Sequence, residues 1–172
     1  MEHIRQASTE DAQHISRLGR ITFTEAFGHL FRDANDLNTY LDTTFNAEKI
    51  TDSLQKSDNL YWIAFSDERP VGYAKLKLRS SSEFLTSDKV SQLQKIYVLN
   101  DFLSMKIGKR LQDILLAKAR ESGAKAIWLS VLNSNQRAIG FYEKNDFRAI
   151  GSHQFRIGRE RFDFTVMSKQ FF

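Results

Sequence analysis

The sequence predicts a mixed α/β domain, in which amphipathic helices alternate with short apolar strands. Three observations predict this class. Apolar residues recur at helical spacing in the segments 12–27 and 105–120. Strand-like runs, some alternating and some continuously apolar, lie between and after those segments. The chain of 172 residues contains one proline and eight glycines, so we expect a single domain over residues 1–172 without long linkers.

The first third of the chain predicts a strand, two or three helices and a second strand. Ile4–Ala7 is a short strand-like run, and Ser8–Asp11 has the small polar and acidic residues of a helix N-terminus. Apolar side chains at helical spacing then predict a helix over Ala12–Phe27. Asp36–Leu54 predicts one or two further helices, and the nearly continuous apolar run Tyr61–Phe65 predicts a buried strand.

The middle of the chain predicts a hairpin, a polar loop and a further strand. Asp67–Pro70 has turn residues, and Val71–Leu78 alternates between two sets of side chains, which is typical of a strand. Polar residues over 79–89 predict a loop. The strand that follows is predicted over Leu93–Val98.

The last third predicts two helices and three strands. A helix over Met105–Arg120 is expected to end before Gly123, because glycine is common just after helix C-termini. The apolar run Ala126–Leu132 predicts a buried strand, and Ser134–Asn145 predicts a helix. Two strands joined by a turn complete the chain, Phe147–Ile157 and Arg161–Met167.

The composition excludes several kinds of chemistry. The chain has no cysteine, which excludes disulfides, thiol catalysis and cysteine-based zinc sites, and its four histidines show no metal-binding spacing. Its 25 Lys and Arg are mixed with 21 Asp and Glu, so the net charge of +4 does not predict nucleic-acid binding. No apolar run approaches the ~18 residues of a membrane span. We therefore expect a cytoplasmic protein without membrane association, metal or nucleic-acid partner.

The loop that joins the strand Leu93–Val98 to the next helix has features of an anion-binding site. The first N–H groups of a helix have no partner within the helix, and together with the helix dipole they attract anions. Gly108 would allow close approach of a pyrophosphate, and positive charge is added by Lys106, Lys109 and Arg110. An ordinary helix start with a solvated cationic face would have the same features.

Two motifs in the second half of the chain resemble the GNAT superfamily of acyl-CoA-dependent N-acetyltransferases. Residues 135–147 read NQRAIGFYEKNDF, similar to the family pattern Asn-x-x-Ala-x-x-x-Tyr-x-Lys-x-Gly-Phe except that Asp146 replaces the glycine. Residues 103–108 read LSMKIG and resemble Arg/Gln-x-x-Gly-x-Gly/Ala at the final glycine only. In that loop, Leu103 and Lys106 replace the other two signature residues.

The resemblance implies a fold and a co-substrate. The fold is a mixed, mostly antiparallel sheet of about seven strands flanked by helices, and the co-substrate is acetyl-CoA. Backbone groups of the central strand would bind the pantetheine arm and the acetyl carbonyl, while the loop would hold the phosphates. The residues that the resemblance assigns to acetyl-CoA binding are Ile96, Tyr97, Val98, Ser104, Met105, Lys106, Ile107, Gly108, Lys109, Arg110, Asn135, Tyr142 and Lys144.

The resemblance also implies one catalytic residue. Tyr142 occupies the family position that donates a proton to the departing thiolate; without the motif it would be interpreted as a core aromatic residue. Asn135 has a comparable second interpretation, as the residue that caps its helix. Many family members carry a catalytic base, a glutamate, on the central strand, three or four residues before its Ile/Leu-Tyr-Val, but residues 91–94 here are Ser, Gln, Leu and Gln. No base is therefore assigned.

The acceptor is predicted from a less specific resemblance. Residues 23–29 and 36–41 resemble PaiA-type polyamine N-acetyltransferases, which implies a small-molecule amine such as spermidine or spermine. The sequence does not distinguish a monomer from a homodimer. Carboxylates would have to face a polycation. The candidate substrate-binding residues are Glu25, Phe27 and His29, with Asp33 and Asp36 as further carboxylates.

Two alternatives keep the same fold. The acceptor could be an amine of a protein or peptide, or another small amine such as that of an antibiotic. The chain could also be a CoA-binding regulatory module without turnover, a hypothesis that Gln92, Leu103 and Lys106 motivate because they depart from the family pattern.

Overall fold

A seven-stranded sheet runs through residues 1–171, the part of the chain that the computed structural model describes. Every pair of neighbouring strands is antiparallel except β4 and β5, which are parallel, and the spatial order is β1-β2-β3-β4-β5-β7-β6. The mixed, mostly antiparallel sheet predicted from the sequence is therefore confirmed. The strands are β1 (Glu2–Gln6), β2 (Asn59–Ser66), β3 (Arg69–Lys77), β4 (Val90–Val98), β5 (Ala126–Leu132), β6 (Arg148–Ile157) and β7 (Glu160–Gln170).

Helices cover both faces of this sheet. They are α1 (Ala12–Phe27), α2 (Ala34–Thr44), α3 (Ala47–Leu54), α4 (Ile107–Glu121) and α5 (Gln136–Lys144). Consecutive residues of β4 point to opposite faces. The Lys95 ammonium lies 4.7 Å from the ring centroid of Phe45, which follows α2, whereas Ile96 faces Gly108 of α4. Among the helices of residues 1–171, none has the length and apolar character needed to cross a membrane.

Polar side chains define where the N-terminal helices begin. The Ser8 N–H donates to the Asp11 carboxylate at 2.8 Å, in the segment predicted as a helix N-terminus, and a short 3₁₀ turn over Thr9–Asp11 precedes α1. The predicted helical region 36–54 is two helices, because the Asn46 side chain accepts hydrogen bonds from two N–H groups of the α3 first turn. The sequence analysis thus identified these helices and left only their separation open.

The start of α4 differs from the prediction. Residues Asn100–Met105 form a 3₁₀ helix, and α4 begins only at Ile107. Between them Lys106 has φ +58° and ψ 21°, the left-handed conformation that side chains with a Cβ rarely adopt. This residue turns the chain into α4 at the position where the family pattern has glycine.

The two parallel strands at the centre of the sheet pair over a short distance only. Within the described residues, β4 pairs with β5 at Val90, Ser91 and Gln92. After a β-bulge at Gln94, β4 stays paired with β3 as far as Val98, while β5 continues along β7. The strands therefore separate, and an opening forms between them in the middle of the sheet.

The loop between α1 and α2 is bound to the turn between β6 and β7. The Arg32 guanidinium donates to the Glu160 carboxylate at 3.0 Å, and the Asp36 carboxylate accepts the Arg159 N–H at 2.9 Å. Gly158 has φ +57°, and a Cβ at this position would overlap the Asp36 carboxylate. The turn therefore needs glycine both for its conformation and for the approach of α2.

We predict that Gly158→Ala destabilises the fold more than Gly123→Ala does. Gly123, after α4, also has a positive φ (+91°), but a Cβ there would meet no atom within 4 Å. Both substitutions cost about 1–2 kcal/mol of left-handed strain. Gly158→Ala also displaces Asp36 and should lose about 1 kcal/mol more, the value of a typical hydrogen bond. Urea denaturation measures both, and equal free energies of unfolding would contradict the proposed contact.

Candidate active site

A cavity of about 1090 Å³ opens where β4 and β5 separate. Its walls come from α1 to α3 on one side and from the first turns of α4 and α5 on the other. The volume suits a ligand the size of a nucleotide cofactor together with a small second molecule. Aromatic rings form much of the lining: Phe23, Phe27, Tyr40, Phe45, Tyr61, Tyr73, Tyr97, Phe141, Tyr142, Phe155, Phe162 and Phe164.

The separated part of β4 supplies backbone groups to this cavity. Ile96, Tyr97 and Val98, which the sequence analysis assigned to co-substrate binding, all line it. Beyond Gln92 this strand pairs with β3 alone among the described residues, so its other edge is open. An extended ligand can therefore pair with that edge as a further strand would.

The N-terminus of α4 presents free N–H groups beside the cavity. Its first backbone hydrogen bond runs from the Arg110 N–H to the Lys106 carbonyl at 3.2 Å. Within residues 1–171, the N–H groups of residues 107–109 therefore have no backbone acceptor, which is the arrangement that binds phosphate at helix ends.

Two lysines and a glycine from this helix end belong to the cavity lining. Lys106, Gly108 and Lys109 line the cavity. A Cβ added to Gly108 would contact only Ile96, at 4.0 Å, so nothing in the protein itself requires a glycine here. The remaining predicted loop residues do not line the cavity: Ser104, Met105 and Arg110 are exposed beside it, and Ile107 is buried in the core.

The helix α5 brings the second motif to the cavity. Asn135 caps it, since its side-chain oxygen accepts the Ala138 N–H at 3.2 Å, and both residues line the cavity. Asp146, which replaces the family glycine, has φ +70° and so keeps the left-handed conformation. Lys144 lies exposed in the last turn of α5 and does not reach the cavity lining, contrary to its predicted role.

Tyr142 packs its ring against other aromatic residues and also lines the cavity. The residue is 9% exposed, and its ring makes edge contacts with Phe141 and Phe147 at centroid distances of 5.4 and 5.5 Å. No hydrogen bond within residues 1–171 engages its hydroxyl. Burial raises the pKa of Tyr142 well above its ordinary value, so the phenol stays protonated and can donate. Both interpretations of this residue, core aromatic and proton donor, are therefore compatible.

The predicted substrate residues are divided between the cavity and other contacts. Phe27 and His29 line the cavity. Glu25 does not: its carboxylate accepts the Asn100 N–H at 3.1 Å and ties α1 to the turn before α4.

The two further carboxylates are also used elsewhere. Asp33 caps α2 and lies 3.8 Å from the Arg159 guanidinium, while Asp36 accepts the Arg159 N–H. The prediction that these side chains face an acceptor is wrong, because the turn between β6 and β7 supplies their partners.

Two lysines in the cavity were missed by the sequence analysis. Lys75 of β3 and Lys95 of β4 are register partners, so their side chains leave the same face of the sheet beneath α1 to α3. Burial of the ammonium groups lowers the pKa of both to about 8, and for Lys75 the neighbouring Lys95 adds to the effect. The alternation of side chains along β3 predicts that Lys75 and Ala74 lie on different faces of the sheet. It does not indicate that the face of Lys75 borders a cavity.

Comparison with known proteins identifies the family. The model of the acetyltransferase (GNAT) family matches residues 24–147. This chain belongs to the GNAT family. It is 25% identical to an uncharacterised N-acetyltransferase of Lactobacillus delbrueckii subsp. lactis over 92% of this chain and 91% of that one. An uncharacterised N-acetyltransferase of Mycobacterium tuberculosis is 30% identical, over 77% of this chain and 80% of its own.

The fold agrees with that assignment. The crystal structure of PaiA N-acetyltransferase from Thermoplasma acidophilum in complex with coenzyme A superposes with a TM-score of 0.81. That comparison covers 99% of both chains at 20% identity. This GNAT protein is accordingly an acetyl-CoA-dependent N-acetyltransferase. Within residues 1–171, no group of three or more histidine, aspartate or glutamate side chains could hold a metal ion.

We predict that Gly108→Ala weakens coenzyme A binding by at least about 10-fold, the effect of disturbing one charge-assisted hydrogen bond. The added methyl group would occupy space next to the free N–H groups of α4. Because the protein has room for it, stability should be kept or raised by up to about 1 kcal/mol, as for other glycine-to-alanine changes in helices.

Gly140→Ala is the matched control for this substitution. Gly140 lies within α5, outside the cavity lining, and a Cβ there would meet no atom within 4 Å. It should change stability in the same way without changing affinity. Calorimetric titration with coenzyme A measures the difference; equal affinities of the two variants would show that this loop does not hold the phosphates.

We predict that the double variant Lys75→Met, Lys95→Met is more stable than the unaltered protein at pH 7. Both lysines have a pKa of about 8 in the folded protein and 10.5 as the ordinary value. Between these values the unfolded chain binds more protons than the folded one, so the lysines' contribution to stability rises with pH. The advantage of the variant should therefore shrink from pH 8 to 10.

Urea denaturation across this pH range is the measurement. Lys77→Met serves as the control, because Lys77 lies on β3 two residues from Lys75 but outside the cavity lining. A stability difference that stays constant from pH 7 to 10 would contradict the lowered pKa values.

Proposed function

We propose that this protein transfers the acetyl group of acetyl-CoA to a primary amine held between β4 and the helices α1 to α3. One observation carries the proposal. The open edge of β4, the N-terminal turn of α4 and Tyr142 all border the same cavity. These are a site for an extended arm, a site for phosphate and a proton donor, which is what acetyl transfer from a phosphorylated thioester requires.

The binding of acetyl-CoA is assigned to backbone groups first. The N–H groups of residues 107–109 would hold the pyrophosphate, with Lys106 and Lys109 adding charge. The open edge of β4 would pair with the amide groups of the pantetheine arm. The Leu103 and Lys106 departures from the family pattern leave this backbone geometry in place, since Lys106 adopts the left-handed conformation on its own. This supports a competent binding site.

Acetyl-CoA supplies an acetyl thioester, and the acceptor must supply a neutral amine. An alkyl ammonium group has a pKa of ~10.4, so a proton must leave before the nitrogen can attack. As the new C–N bond forms and the C–S bond breaks, negative charge develops on the carbonyl oxygen. A backbone N–H on the open edge of residues 96–98 would stabilise that charge.

Tyr142 is proposed to protonate the departing sulfur. A thiol has a pKa of ~8.5, whereas burial holds the pKa of Tyr142 above its ordinary value, so the phenol is fully protonated at neutral pH. The nitrogen would lose its proton to water as it becomes the amide, and the tyrosinate would recover a proton from water, so no net charge remains in the site. This assignment also argues against a purely regulatory CoA-binding module, for which no proton donor is needed.

No general base is proposed. The Gln92 side-chain oxygen accepts a hydrogen bond from Ser80 at 3.0 Å, and a glutamine cannot take a proton at neutral pH. Within residues 1–171, no aspartate or glutamate lines the cavity. We propose that the fraction of amine that is already neutral reacts, so the rate should rise with pH towards the pKa of the acceptor.

The finer prediction of a polyamine acceptor is not adopted in this proposal. A polycation needs carboxylates near the thioester, and Glu25, Asp33 and Asp36 are bound elsewhere. The charged groups that line the cavity are instead Lys49, Lys75, Lys95, Lys106, Lys109 and Arg137. Spermidine is therefore one arm of the test below and not its expected outcome.

We predict that Tyr142→Phe lowers kcat by roughly 10²–10⁴-fold, the usual contribution of a general acid, with little change in coenzyme A affinity. Thiol release from acetyl-CoA with a panel of amines measures the rate. Tyr61→Phe is the control, because the Tyr61 hydroxyl also lies on the cavity but hydrogen-bonds to Ser53 at 2.9 Å. Similar rates for the two variants would return Tyr142 to a packing role.

A further inference from the structure

We infer that the acceptor carries an acidic group, a carboxylate or a phosphate monoester, that binds to Lys75 and Lys95 while its amine reacts. This inference rests on the proposed function and names the acceptor class of the same site. It begins from two lysines that neither the co-substrate nor the proton transfer uses.

The first support is their geometry. Lys75 and Lys95 lie directly opposite each other on β3 and β4. The Cβ atoms of such cross-strand partners are about 5 Å apart, so both ammonium groups can reach one carboxylate or phosphate. Both residues line the cavity on the side covered by α1 to α3, away from α4.

The second support is the absence of a counter-charge in the described part of the chain. Like charges placed opposite each other across two strands destabilise a sheet. Within residues 1–171, neither ammonium is in ion-pair contact with a carboxylate, and no carboxylate lines the cavity. An anion bound between the two lysines would supply the charge that the protein does not.

The third support is the surroundings of the ammonium groups. The Lys95 ammonium lies 4.7 Å from the Phe45 ring centroid and 5.6 Å from that of Tyr97, and Lys75 lies 5.5 Å from that of Tyr61. Aromatic faces stabilise a cation but leave its donors free. The lowered pKa values of about 8 agree with this picture, because burial is the first cause for both groups.

Lys95 also lies next to the proposed reaction site in the chain, since it directly precedes residues 96–98, which are proposed to bind the acetyl group. An acceptor that carries both an amine and an acidic group could therefore occupy the two sites at once. Amino acids and amino phosphates carry both groups, whereas a polyamine has no group for the lysines to bind.

A matched panel of acceptors tests the inference. Each acidic amine is paired with a counterpart that lacks the acid: α-amino acids with their decarboxylated amines, and phosphoethanolamine with ethanolamine, with spermidine as the polycation. Thiol release gives kcat and KM for each. We expect at least one acidic member to have a KM roughly 10- to 100-fold below that of its counterpart, as loss of charge-assisted hydrogen bonds would imply. The two series distinguish carboxylate from phosphate.

Lysine variants locate the effect. Lys75→Met and Lys95→Met should raise the KM of the preferred acidic acceptor by a similar factor, and should change the KM of its neutral counterpart much less. Lys77→Met, outside the cavity lining, should change neither value. A fall in kcat for acidic and neutral acceptors alike would instead make a lysine the general base. Three results would overturn the inference: such a fall in kcat, a preference for neutral amines or spermidine, or an unchanged KM in the lysine variants.

A binding measurement separates this inference from the proposed reaction. Calorimetry with coenzyme A and the N-acetylated acidic acceptors needs no turnover. If thiol release fails for every amine but an acidic product binds and Lys75→Met weakens it, the proposed catalysis is wrong and the acidic subsite stands. If thiol release occurs but no acidic product binds better than its neutral counterpart, the subsite is wrong and the catalysis stands.

Discussion

The separation of β4 from β5 is the constraint on which the rest of this structure depends. The two strands share pairing at Val90–Gln92 and are then held apart, β4 by β3 and β5 by β7. Because the outer pairing is kept, the sheet can leave backbone groups of β4 open at its centre without unfolding. The helices α4 and α5 begin beside this opening, which brings their N-termini to one cavity.

Much of the fold could be predicted because its elements are strongly periodic. The helix α1 and the strand β5 have the predicted bounds, and Gly123 follows α4 with the expected positive φ. The start of α4 could not be predicted. A lysine in the left-handed conformation leaves no trace in apolar spacing, so the helix was predicted from Met105, two residues before its observed start, and the rest of the 3₁₀ segment was predicted as loop.

Sequence motifs can predict which residues meet within one local segment, but not which distant segments meet. Gly108, Asn135 and Tyr142, which the family resemblance assigned to the site, line one cavity, and their roles there remain predictions. The carboxylates of Asp33 and Asp36 were assigned wrongly, because their partner is a turn more than a hundred residues away in the chain. Lys75 and Lys95 were missed because their meeting depends on strand register, which the alternation of one strand cannot give.

A crystal structure with coenzyme A bound is the most direct test of the central claim, that the opening between β4 and β5 holds the co-substrate with its sulfur beside Tyr142. The account predicts that the sulfur lies within about 3.5 Å of the Tyr142 hydroxyl, near hydrogen-bond reach. It also predicts the pyrophosphate on the N–H groups of residues 107–109 and the pantetheine arm paired with β4. A pantetheine arm that lies outside the opening, or a sulfur far from the hydroxyl, would contradict it.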